Sequence, residues 1–133
     1  MTEHTVAAFD EDLNAIDGLI REMGDLAATM AGSATRALLD LDNPLSRQVV
    51  SQDALMDARQ RDLDERAITL IARRQPVAAD LRMVVGAIRM AADLERIGDH
   101  VTNIAENAYY VLTGRQLSPD RPRTDETAIR LAE

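Results

Sequence analysis

From Thr5 to Leu41 the apolar residues recur at alternating intervals of four and three: Phe9, Leu13, Ile16, Ile20, Met23, Ala27, Met30, Ala34, Ala37 and Leu41. Ten consecutive matches to a 3.5-residue period mark one continuous seam along a helix. A helix of that length runs for ~55 Å, and its seam has to be buried against other helices. The rest of the chain supplies them. Asp42-Asn43-Pro44 breaks the first helix, with Asn43 expected as N-cap and Pro44 at the first helical position. A second helix then reaches about Arg73, with Leu45, Val49, Met56, Leu63, Ala67 and Leu70 on one stripe. Arg74-Gln75-Pro76 makes the next break, because proline disfavours helical geometry in the residue before it. The third helix is expected from Pro76 to Thr113, stopped by Gly114.

Short connections force sequence neighbours to run antiparallel. The expected fold is therefore all-α, a long up-down-up three-helix bundle over residues 1–113. Residues 114–124, with two prolines, read as a linker, and residues 125–133 as the beginning of a fourth helix. Aromatic residues make up only 2% of the chain and Trp is absent, so the core must be built from Leu, Ile, Val, Ala and Met. That suits helix packing.

The third helix carries the chemistry. Its first half has an apolar stripe of Val77, Leu81, Val84, Val85, Ile88, Ala91 and Ala92. On the same line further along stand Glu95, Asp99, Thr102 and Glu106. A second apolar stripe (Met83, Met90, Leu94, Ile97, Val101, Ile104, Ala108, Val111) runs nearly the whole length on roughly the opposite side, so the helix is expected to have two partners. The second helix has its own acidic line, Asp53, Asp57 and Asp64, bordering its apolar stripe. Glu95/Asp99 and Asp53/Asp57 are both spaced by four, which puts each pair on one helix face. Like charges there are destabilising, and partial burial raises the cost unless a cation compensates.

Two readings remain open from the residues alone. Hard oxygen ligands on facing helices suit a carboxylate-bridged metal site, whereas Arg from the first or second helix would make the same acids partners in salt bridges. Arg82, Arg89 and Arg96 lie about 100° round from the acidic line. Asn103 borders that line and can add an amide oxygen; His100 lies off it and is expected to be solvated. Gly98, between the two acids, leaves room for ions or a close neighbour, and Gly86 is expected at a close helix contact. Without cysteine there is no disulfide or thiolate site, so oxygen or imidazole would hold any metal.

A net charge of −8 argues against a nucleic-acid footprint. No apolar run approaches ~20 residues, so no membrane insertion is expected. Residues 1–20 are acidic and lack the apolar core of a signal peptide, and a cytoplasmic location is expected.

The segment LIARRQPVAADLRMVVGAIRMAADLERIGDHVTNIAE, Leu70 to Glu106, resembles the signature region of the PhoU family of phosphate-signalling regulators, and Gln52-Asp53 to Asp57 and the long first helix fit as well. The resemblance implies a three-helix bundle repeated twice per chain, of which this sequence holds one repeat and the start of another. It implies multinuclear metal sites on E/D-x-x-x-D motifs, here Glu95 with Asp99 and Asp53 with Asp57. Glu106 and Asn103 are further candidate ligands. The metal would be a divalent or ferric ion: Fe, Zn, Mn or Mg. The family further implies a negative regulator of phosphate uptake and starvation signalling, acting on a phosphate ABC transporter and a membrane sensor histidine kinase.

Two other functions compete, a carboxylate-bridged metalloenzyme and a plain structural dimerisation bundle. Neither a Glu-x-x-His motif nor a nucleophile paired with a base occurs, so a non-enzymatic role is expected. A homodimer or higher oligomer is expected through the second stripe of the third helix and residues 125–133.

Overall fold

The computed structural model describes residues 3–117, with side chains from residue 6 onward. Three helices follow one another: α1 (Glu3–Asp40), α2 (Asn43–Arg74) and α3 (Ala78–Thr113). Each packs on both of the others, so the expected all-α three-helix bundle is the fold. No described helix is long and apolar enough to cross a membrane. The expected start of a fourth helix and most of the linker lie outside the described residues.

The α1 seam faces inward along most of its length. Ile16, Met23, Ala27, Met30, Ala34 and Ala37 are buried, Leu19 joins them, and Phe9, Leu13 and Ile20 are half-buried against the core. Leu41 is the exception: it lies beyond the helix at φ 51° and is exposed. The turn that begins there also corrects the expected cap. Asp42, not Asn43, is the N-cap of α2, in extended conformation with its carboxylate accepting from the Leu45 N–H at 3.0 Å. Asp at this position satisfies a helix-end donor that would otherwise lack a partner.

α2 buries Val49, Met56, Leu63, Ala67 and Leu70 as expected, and Ser46 and Asp53 on the same line. It ends at Gln75, in left-handed conformation, whose N–H reaches Ile71 O. α3 starts two residues later than expected, with Val77 as N-cap, and stops at a left-handed Gly114.

The two apolar stripes of α3 are the edges of one broad face and not two opposed faces. Its buried residues take Val84 and Ala91, with Thr102 and Glu106, from the line of one stripe, Val101 and Ala108 from the other, and Ala87, Gly98 and Ala105 from between them. Val77 and Leu81 from one edge, and Met83, Met90, Ile97, Ile104 and Val111 from the other, are exposed. The physical reason is size. Small residues at the centre let α1 and α2 approach closely, and the bulky ones are left at the margins. Between α2 and α3 the bundle is tied at one end by Arg47, whose guanidinium donates to the Tyr109 hydroxyl at 3.1 Å and lies 5.3 Å from its ring centre. Arg59 to Glu22 (3.0 Å) and Arg74 to Asp12 (3.5 Å) link α2 to α1.

Candidate metal centre

Midway along the α2–α3 contact the packing line of α2 contains a carboxylate. Asp53 lies one turn from Val49 and one from Met56, so the periodicity that buries those two also buries it, leaving 5% of it exposed. Opposite it stands Gly98. A Cβ at that position would sit 3.3 Å from Asp53 Oδ1 and 3.3 Å from Met56 Cγ, with Met30 Cε of α1 at 3.8 Å. The absence of a side chain at residue 98 is what admits Asp53 between the helices. Gly98 thus serves a close neighbour, one of the two readings its position allowed. Gly86 differs from expectation, since no atom lies within 4 Å of where its Cβ would be.

One turn along α2, Asp57 joins Asp53, and Asp99 comes across from α3. Their carboxylate oxygens lie within 4.8 Å of one another. Glu95 flanks the group from one turn earlier on α3 and interacts with both Asp99 and Asp57. The two acid pairs legible in the sequence are therefore brought together on facing helices.

Glu95 registers the local field. Burial is the largest influence on its carboxyl; hydrogen bonding to Asp99 and the negative charges of Asp99 and Asp57 add to it, and together they raise it from 4.5 to about 8. Every one of these contributions favours the proton. When protonated, Glu95 can donate to Asp99 or Asp57.

The other expected ligands are placed differently. Glu106 is buried but stands about two turns beyond Asp99 and outside the cluster. Asn103 is half-buried one turn beyond Asp99. Thr102, on the expected acidic line, is fully buried, and its hydroxyl donates to Gly98 O at 2.7 Å, which satisfies it within its own helix. His100 is exposed, as expected. Two groups outside the expected ligand set have a buried oxygen with no hydrogen-bond partner among the described residues: Gln52 Oε1, and Asp64 Oδ1 further along the acidic line of α2. Helical spacing alone carried no signal for Gln52.

An ion fits the donor set. Two oxygens on opposite sides of one cation, at ~2.0–2.4 Å from it, are at most ~4.8 Å apart, and the three Asp oxygens all lie within 4.8 Å of one another. The donors are all hard oxygens, compatible with Mg, Mn, Fe and Zn.

The chain matches the PhoU domain over residues 20–108. It is 45% identical over 108 residues to a phosphate-specific transport system accessory protein PhoU homolog of Rhizobium meliloti (strain 1021), an alignment covering 81% of this chain and 46% of the relative. The corresponding protein of Caulobacter vibrioides (strain NA1000 / CB15N) is 38% identical over 81% of this chain and 47% of its own length. That of Edwardsiella tarda is 35% identical over 81% and 44%. The chain spans about half the length of the curated relatives it matches. No solved structure matches it. On the strength of the domain match and these identities, the chain belongs to the PhoU family.

Proposed function

We propose that this chain is a metal-holding module of a cytoplasmic regulator of phosphate uptake, acting by binding other proteins and not by catalysis. The observation that carries the metal reading is the cluster at Gly98. Three aspartates from two helices converge there, and the carboxyl beside them is held toward its protonated form by burial and like charge. A cation is the partner that such a field attracts. Asp53, Asp57 and Asp99 would be the ligands, and Glu95 a further ligand or the group that orients them. The phosphate role is supported by the names of the relatives, which are accessory proteins of a phosphate-specific transport system. The partners implied by the family, a phosphate ABC transporter and a membrane sensor histidine kinase, belong to this reading, with negative regulation as the direction.

A homodimer belongs to it as well. In place of the second stripe of α3 expected from the sequence, the bundle end formed by the α1–α2 turn and the end of α3 exposes Leu38, Leu39, Leu41 and Leu112, apolar surface that a second copy can cover.

Elemental analysis of protein purified without chelators or a His-tag tests the metal reading, with about one or more ions expected per chain. The Glu95→Ala/Asp99→Ala variant should lose the metal and stay folded. If it melts well below metal-free wild type, the carboxylates are structural partners and the metal reading falls. Steady turnover of a phosphate ester, abolished by Asp99→Asn, would overturn the non-catalytic role. Phosphate uptake in cells lacking the protein should rise under phosphate-replete conditions, and unchanged uptake would overturn the regulatory role.

A further inference from the structure

On the side of α3 away from the carboxylates, one exposed residue in every seven is a large apolar one: Met83, Met90, Ile97, Ile104 and Val111, each between 39% and 76% exposed. The ridge extends ~42 Å. Beside it, at the same spacing, runs a row of exposed arginines, Arg82, Arg89 and Arg96. The ion pairs of the described residues use Arg21, Arg59, Arg66 and Arg74, and none of the three row arginines is among them. Gly86, Asp93, His100 and Asn107 lie between ridge and row, so Asp93 offsets one charge and the strip has net charge +2 with His neutral. A basic strip bordering an apolar ridge stands out on a chain whose net charge is −8.

We propose that this face of α3 is a docking seam for an amphipathic helix of another protein, one with apolar residues at heptad spacing and Asp or Glu along its flank. The inference stands apart from the metal site, which faces the other way. A period of seven is that of helix-on-helix packing, with charged flanking positions selecting the partner. A second copy pairing α3 with α3 answers the apolar ridge but not the charge. Antiparallel pairing about a twofold axis sets each arginine row against its own copy. Parallel pairing sets it against Ala87, Leu94 and Val101, none of which is acidic. A membrane surface is a poorer fit, because interfacial helices immerse a broad apolar face and this ridge is one residue wide, with Asp93, His100 and Asn107 alongside.

The probe is a fluorescent four-heptad peptide with Leu at the seam positions and Glu at the flanks, whose own repulsion opposes self-pairing, alongside a Lys-flanked twin. Fluorescence anisotropy with the full chain should show the Glu peptide binding at least about tenfold tighter than the Lys peptide, and progressively weaker with salt. Arg82→Glu/Arg89→Glu/Arg96→Glu should invert that preference. Ile97→Asp should weaken the Glu peptide by about tenfold or more, and circular dichroism checks that both variants keep their helix content. Equal binding of the two peptides, or binding of neither, overturns the proposal. So does binding to phosphatidylglycerol vesicles in preference to the Glu peptide, or a dimer mass that Ile97→Asp abolishes.

Discussion

Glu95→Gln should abolish a pH dependence that the metal-free wild type displays. In the folded chain the Glu95 carboxyl sits at about 8, against 4.5 for the ordinary group, because burial and the neighbouring Asp99 and Asp57 oppose its ionisation. Between those values the folded state holds a proton that the unfolded state has released. Stability therefore falls as pH rises. The contribution is fully present below about 4.5 and is lost by the time pH has passed about 8. Converted in full, the difference is ~5 kcal/mol. Glu95 is half-buried and water screens part of the field, so the expected loss is ~1–2 kcal/mol.

For a domain of this size that is roughly 3–10 °C in melting temperature. The assay is thermal unfolding in chelator at pH 5 to pH 9, wild type against Glu95→Gln, and the difference between the two curves isolates Glu95 from the other titrating groups. Gln should resemble the protonated acid and remove the slope. A wild-type curve that stays parallel to that of Glu95→Gln across the range would refute the reasoning, because it would mean that nothing in the cluster opposes a charge at residue 95.

The two glycines of α3 should respond oppositely to alanine. Gly98→Ala gains about 1 kcal/mol of helix propensity but must displace Asp53 and Met56, each 3.3 Å from the new Cβ, at ~1–3 kcal/mol. The melting temperature should fall by a few degrees and metal affinity by about tenfold or more, as Asp53 is moved. Gly86→Ala meets nothing within 4 Å and should raise stability by up to ~1 kcal/mol in chemical denaturation. Asp42→Ala removes the cap on α2 seen in the 3.0 Å bond from Leu45 N and should cost ~1 kcal/mol in the same measurement, with metal content unchanged.

The bundle was legible because its signals are local to each helix. The α1 seam, the Pro44 and Pro76 breaks and the Gly114 stop each specify an element or its end without reference to the rest. What the sequence could not specify is how each helix is rotated about its own axis in the assembly. In α3 the bulky residues look like packing positions, yet Val77, Leu81, Met90 and Ile97 are exposed while Ala87, Ala91 and Ala105 are buried. Side-chain size misleads when the core is set by how closely backbones approach. The same limit applied to the site. Both acid pairs were visible at four-residue spacing, but which carboxylate is buried depends on the rotation of α2 against α3. The distance that leaves Glu106 outside the cluster depends on where the helices cross.

Asp53 and Gly98 show what that crossing costs. Around Gly98 the bundle is otherwise apolar, with the buried Met30 of α1 and Met56 of α2 against it. At this layer the pair is an aspartate and a glycine. An apolar side chain in place of the aspartate would bury area worth up to ~2 kcal/mol, and the glycine opposite forfeits ~1 kcal/mol within its helix. A carboxylate with 5% of its surface exposed has little water to solvate its charge. Asp57, Asp99 and Glu95 then crowd the same spot with three more acids. None of this favours the bundle as a bundle. A layer that gives up packing, helix propensity and exposure to water together is the observation that supports the proposed cation, the species for which all three sacrifices act in the same direction.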